Sequence, residues 1–240
     1  DALKAQDCLS TVIELDPKGK SARRIGSMID FLPVEADNSA LIAAMSRPEI
    51  RIVSLTVTEG GYFINPATGE FDPGHPEIMD DAPEPRKTAF GAIIAAIKAR
   101  KAAGVAPFTV MSCDNLPGNG HVTRAAVMGL AGIEDPDLEH WIGENVAFPN
   151  GMVDRITPAT GPRERAMAAA FGLGDDPVPV TCEPFRQWVL EDNFPSGRPA
   201  FEKVGVTLTP HVHNFEMMKI RILNGGHATI AYPGGLMDIE

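Results

Sequence analysis

The sequence predicts an α/β fold, and three observations carry that reading. Residues 51–57 and 108–111 are apolar, β-branched runs of strand length. Between them, residues 88–103 place Phe90, Ile93, Ile94 and Ile97 at i, i+3, i+4, i+7 spacing, and Gly104 follows as a helix stop. Strand, helix, strand in that order implies a right-handed crossover and parallel pairing. Both strands then end at one sheet edge, where open α/β sheets bind ligands. The segments leaving that edge are Thr58-Glu59-Gly60-Gly61 and Cys113-Asp114-Asn115.

The remaining elements follow in chain order. Two β-prone runs, 10–15 and 25–32, flank Asp16-Pro17-Lys18-Gly19-Lys20, strong turn chemistry that predicts a β-hairpin. Residues 38–46 read as a short helix ending before Pro48. Residues 62–87 hold Pro66, Pro73, Pro76, Pro83 and Pro85 and read as a long loop over the ligand edge. A second helix, 121–130, starts beside Asn115, with its N-terminal N–H groups directed to the site as an anion-favouring end. A composition shift at 135–149 sets a domain boundary, dividing the chain into 1–145 and 146–240. Beyond it come an Ala-rich helix at 164–171, a loop at 172–176, an extended stretch at 177–181 and a short strand at 185–190. A turn at 195–199 and the stretch 204–209 then lead into a helix over 214–227.

That last helix carries the densest chemistry. Asn214 is placed to cap it. Advancing about 100° per residue from Lys219, Glu216 falls near 60°, His227 near 80° and Asn224 near 140°, so four polar groups share roughly one face. Met217, Met218, Ile220, Ile222 and Leu223 lie between them and predict a largely buried helix. Gly225 and Gly226, costly inside a helix, imply a close approach there. Buried polar groups need partners or a task. A plain account exists for each residue: a buried Lys–Glu pair, Asn115 as a turn residue before Pro117, Asp154 in an ion pair with Arg155 or as a cap, His227 as a core histidine.

Composition narrows the classes. Across 240 residues, 44% hydrophobic content suffices for a well-formed core. A net charge of -11 argues against nucleic-acid and anionic-membrane partners. No apolar run approaches a membrane span and no signal peptide is visible. Cys8, Cys113 and Cys182 lack metal or redox spacing and suit a reducing cytoplasm. None of them is a convincing nucleophile.

Lys219-x4-Asn224-x2-His227 resembles the catalytic signature of the long-chain mannitol dehydrogenase family of polyol dehydrogenases and hexuronate reductases. Thr58-Glu59-Gly60-Gly61-Tyr62, Ser112-Cys113-Asp114-Asn115 and Phe148-Pro149-Asn150-Gly151-Met152-Val153-Asp154-Arg155 fit the same family and run in its order. The resemblance implies the C-terminal part of a Rossmann-type dinucleotide-binding domain in 1–145, followed in 146–240 by the start of a mostly helical substrate domain. No G-x-G-x-x-G element is found, the sequence lacks an initiator Met, and the family's members are about twice as long. The chain is therefore expected to be an internal fragment.

The resemblance also implies an activity: NAD(P)-dependent interconversion of a polyol and a ketose, D-mannitol and D-fructose first among them, without a metal. Lys219 is then the general acid/base, and Asn115 and Asn224 bind the reacting oxygen. Glu216 connects Lys219 to solvent protons, and His227 and Asp154 bind substrate. Glu59 and Asn115 lie near the nicotinamide. The cofactor is expected to be NAD, with NADP possible, and the protein a monomer or small homo-oligomer. Arabinitol dehydrogenase and fructuronate or tagaturonate reductase chemistry are the near alternatives. A metal-dependent sugar isomerase built on His211 and His213, both on one strand face, and a non-catalytic sugar-binding fragment are the distant ones.

Overall fold

The computed structural model describes residues 2–65, 67–172 and 176–237. It opens with helix α1 (Ala2–Ala5), strands β1 (Ser10–Asp16) and β2 (Gly19–Ile25) and helix α2 (Ser39–Ser46). Strand β3 (Ile52–Leu55), a 3₁₀ turn (Glu59–Tyr62), helices α3 (Pro76–Asp81) and α4 (Ala89–Ala102) and strand β4 (Thr109–Ser112) follow. Next come helices α5 (Asn119–Glu134) and α6 (Pro136–Asn145), strand β5 (Gly151–Asp154), helix α7 (Pro162–Ala170) and strands β6 (Val180–Cys182) and β7 (Gln187–Leu190). A second 3₁₀ turn (Phe201–Val204) and strand β8 (Thr207–Leu208) lead to helix α8 (Val212–Met218). This helix runs through a π-helical turn (Lys219–Asn224) into α9 (Gly225–Leu236). Pro66, residues 173–175 of the expected loop after the Ala-rich helix, and 238–240 lie outside the described residues.

The chain divides into two compact units: residues 1–34 with 154–187, and 35–153 with 188–240. The first is built on a three-stranded sheet with β1 between β2 and β6. The expected hairpin forms, but its second strand starts at Gly19, pairing with Asp16, rather than at Ile25. Lys18 N–H donates to Asp16 Oδ1 at 2.8 Å and sets a tight turn. Polar β2, with Lys20, Arg23 and Arg24, is an exposed edge strand, so no apolar alternation betrays it. Buried Asp176 accepts hydrogen bonds from Thr11 N–H at 2.6 Å, Val178 N–H at 2.9 Å and Gln6 Nε2 at 3.0 Å. Burial pushes its carboxyl up, but these donors outweigh burial and hold it below the ordinary range. A carboxylate held low adds stability at neutral pH that is lost as pH falls through its folded value.

In the second unit β3 and β4 pair in parallel, Ile52 opposite Thr109 through Leu55 opposite Ser112, as expected. Helix α4 lies between them in sequence, capped by Thr88, whose Oγ1 accepts Gly91 N–H at 2.9 Å. Phe90, Ile93, Ile94 and Ile97 all enter the main core with Val110, Leu130 and Ile142. Gly104 stands at φ +68°, a left-handed stop. The segment 62–87 is not a bare loop. Tyr62 and Phe63 are core residues, Ile64 bridges Phe71, and α3 follows. Helix α5 is longer than expected, and α6 fills the stretch assigned to a composition shift. Asp135 caps α6, its Oδ1 accepting Leu138 N–H at 3.0 Å, with Pro136 at the first helical position, where proline is favoured.

One buried carboxylate organises the approach to α4. Asp81, 0% exposed, accepts from Arg86 N–H (2.7 Å), Lys87 N–H (2.7 Å), Thr88 N–H (3.0 Å) and Thr88 Oγ1 (2.6 Å). Asp81→Ala leaves these donors without their acceptor and is expected to destabilise the fold by about 3 kcal/mol or more. Urea midpoints at constant m-value measure this. A loss below about 1 kcal/mol would mean that water replaces the carboxylate.

Three expectations about the last helix change. It starts at Val212, with His211 in the cap position and Asn214 inside the first turn. Val212 is buried, but the helix is not largely buried by the described chain: Met217 and Leu223 are half-buried, Ile222 is 71% exposed, and Met218, Ile220, Ile230 and Tyr232 are also open. A Cβ on Gly226 would meet nothing within 4 Å, so no close approach explains that glycine. Among the described residues no helix is long and apolar enough to cross a membrane.

Candidate active site

The parallel pair β3–β4 brings its two exit loops to one edge, and a single carboxylate ties them. Asp114 accepts Val57 N–H at 2.9 Å and Thr58 N–H at 3.1 Å, so the loop after β3 is bound to the loop after β4. The Tyr62 hydroxyl donates to Asp114 Oδ2 at 2.7 Å and meets Ser112 Oγ at 2.6 Å. Burial pushes the Tyr62 phenol well above its ordinary value, so it stays a neutral donor. The neighbouring Cys113 thiol is pushed up to about 11, first by burial and then by the Asp114 carboxylate, which removes it as a nucleophile.

The next residue, Asn115, meets the lysine. Lys219 Nζ donates to Asn115 Oδ1 at 3.1 Å and to the carbonyl of Val153, in β5, at 2.6 Å. These three residues line a cavity of about 50 Å³ with Asp114, Glu216 and Ile220. That volume suits one oxygen-bearing group rather than a whole six-carbon polyol. Glu216, 6% exposed, accepts Gly118 N–H at 3.0 Å, with His213 Nδ1 at 3.6 Å from its other oxygen.

The start of α5 is therefore not an open anion site. Gly118 N–H is taken by Glu216, and Gly120 and His121 N–H go to Asn150 Oδ1 at 2.9 and 3.3 Å. Asn150 Nδ2 in turn donates to Glu191 Oε1 at 3.0 Å and meets His121 Nε2 at 3.0 Å. Gly118-x-Gly120 is a packing device: a Cβ on Gly120 would stand 2.5 Å from Phe148 O.

The π-helical turn changes the angular reading of the helix. Gly225 N–H bonds to Ile220 O, five residues back. A π turn takes about 4.4 residues, which brings Asn224 to roughly 50° from Lys219 instead of ~140°, and His227 to about 10°. Both side chains are exposed on this helix. Of the expected site residues, the cavity gathers Asn115, Glu216 and Lys219. Asn224 and His227 share their helix, Asp154 ends β5 one residue past Val153, and Glu59 is exposed in the 3₁₀ turn after β3.

Asp114, Tyr62, Asn119, Asn150 and Glu191 went unassigned in the sequence. Tyr62, Asp114 and Asn150 lie inside the quoted family motifs, whereas Asn119 and Glu191 lie outside them, and each of the five has a partner 30 or more residues away. The strand pair His211/His213 does not form. His211 stands at the cap position before α8 and His213 lies within the helix, so the two do not share a strand face.

The family model described as "Mannitol dehydrogenase Rossmann domain" matches residues 1–203, and "Mannitol dehydrogenase C-terminal domain" matches 211–240. Mannitol 2-dehydrogenase of Cereibacter sphaeroides is 72% identical over 242 residues, covering 100% of this chain and 50% of that protein. The polyol:NADP oxidoreductase of Gluconobacter oxydans is 48% identical, with 100% and 50% covered. The solved ternary complex of Pseudomonas fluorescens mannitol 2-dehydrogenase with NAD and D-mannitol matches with TM-score 0.92 and 51% identity, over 100% of this chain and 49% of that one. The chain thus spans about half the length of the curated relatives it matches.

Proposed function

Because this chain belongs to the mannitol dehydrogenase family, we propose that the intact protein interconverts a polyol and a ketose, D-mannitol and D-fructose, with NAD and without a metal. The observation that carries this reading is the Lys219 ammonium held between Asn115 Oδ1 and Val153 O in a cavity sized for one reacting oxygen.

The residues at the sheet edge fit a nicotinamide. Glu59 is exposed there, and open space stands where a Gly60 Cβ would be, so a flat group can approach the backbone. The nicotinamide, when bound, accepts the hydride from the carbinol carbon. Glu59 and Asn115 hold its side of the site. Neutral Lys219 takes the hydroxyl proton, and in ketone reduction its ammonium returns it. Asn115 Nδ2 and Asn224 Nδ2 are neutral donors to the oxygen as charge develops on it. Glu216 passes the lysine's proton toward solvent, while His227 and Asp154 bind substrate hydroxyls. In this proposal 1–145 supplies the cofactor side and 146–240 the substrate side. The two family models, by contrast, meet between 203 and 211. Three free thiols accord with a reducing, cytoplasmic setting, and the proposed state is a monomer or small homo-oligomer.

The test follows nicotinamide absorbance at 340 nm in the intact protein, over a polyol and ketose panel with NAD and with NADP. D-mannitol with NAD is expected to give the highest kcat/KM, unchanged by EDTA. A preference for arabinitol or a hexuronate would redirect the substrate, and loss of activity to a chelator would overturn the metal-free reading.

A further inference from the structure

We infer that Asn119 is a positioning residue that sets the distance between Asn115 Oδ1 and Val153 O, which both accept from Lys219. This rests on the proposed role of Lys219. The acceptors come from different places: Asn115 from the loop after β4, Val153 from strand β5. Asn119 binds both supports. Its Nδ2 donates to Asp114 O at 3.1 Å, the carbonyl just before Asn115. The same nitrogen donates to Gly151 O at 2.8 Å, two residues before Val153, and lies 3.4 Å from Ser112 O. Its Oδ1 accepts Gly151 N–H at 2.9 Å. The carboxamide therefore pairs with Gly151 as a neighbouring strand would, while holding the β4 loop with its remaining donor.

Burial makes the pairing informative. Asn119 is 0% exposed, at the first position of α5, and Thr123 Oγ1 donates to its carbonyl at 2.6 Å. An apolar side chain would fill such a site without desolvating an amide. What only a carboxamide supplies is a donor and an acceptor on one rigid plane, matched to the C=O and N–H of one residue. Loss of this brace lets the Asn115 loop and β5 separate, and a shift of about 1 Å at a reacting group can cost ~10²-fold in rate. Charged or titratable groups near the braced site include Lys219, Glu216 and Asp114, which line the cavity, His213 at 3.6 Å from Glu216, and Asp154, which follows Val153 in β5.

Two readouts test this. In the intact protein, Asn119→Ala is expected to lower kcat for polyol oxidation by roughly 10- to 100-fold with KM changed less than about threefold. Isosteric Asn119→Asp keeps the volume, sets a carboxylate against two carbonyls, and should behave like alanine. The second readout needs no turnover. Acylation of Lys219 by an amine-reactive anhydride, read by mass spectrometry, should rise several-fold in either variant, with exposed Lys87 unchanged as the internal control. A lower melting temperature with unaltered kcat and unaltered Lys219 labelling would overturn the inference and leave Asn119 a packing residue. An inactive wild type would sink the redox reading instead, and labelling alone would then decide the role of Asn119.

Discussion

Lys219→Ala in the intact protein is expected to lower kcat by roughly 10³- to 10⁴-fold in both directions, the upper range for loss of a general acid/base. Substrate affinity should change far less. Polyol oxidation uses neutral Nζ, so the wild-type rate rises with pH; ketone reduction uses the ammonium, so that rate falls. Both slopes should vanish with the side chain. Val153 O and Asn115 Oδ1 remain in place in the variant and outline the vacated position. Small primary amines should therefore restore part of the rate, in an order that follows their basicity. Retention of the wild-type pH profile at slightly reduced rate would make the lysine structural and send the search for a base to His227 or Glu216.

What the sequence made legible was local. Phe90, Ile93, Ile94 and Ile97 repeat with the helical period because one face packs on the sheet, and the β-branched runs of β3 and β4 are long enough to be read alone. Parallel pairing follows from the intervening helix, which is why Thr58 and Asn115 could be placed at one edge before any coordinates. The candidate lysine and first asparagine were legible for a different reason, a family motif. The misses share a physical cause. Strand β2 is polar on both faces, so its existence depends on β1 and not on its own pattern. Asp114, Asn119 and Asn150 are defined by partners 30 to 60 residues away in several cases, and no local period encodes such a partner. The π turn at Lys219–Asn224 has no compositional signal at all. It realigns Asn224 and His227 with Lys219, so a strictly α-helical projection separates residues that the backbone brings into line.

The second large effect concerns the oxygen donors. Asn115 is oriented by the lysine: with Oδ1 accepting from Lys219 Nζ at 3.1 Å, its Nδ2 is committed to the opposite side of the amide plane. A donor fixed in that way needs no reorganisation as the alkoxide forms, which is where such groups act. Asn115→Ala is expected to lower kcat by roughly 10²- to 10³-fold, and Asn224→Ala by a similar factor, the usual scale for one lost donor. Asn115→Asp should be at least as damaging, since a carboxylate there pairs with the Lys219 ammonium and repels the developing negative oxygen. The double alanine variant should fall short of the product of the single effects, because two donors to one oxygen act as a unit. Presteady-state transients keep chemistry apart from product release: the burst of reduced nicotinamide should slow with kcat in each variant. Near-normal bursts in both singles would return Asn115 to a turn residue before Pro117 and Asn224 to an exposed helix position.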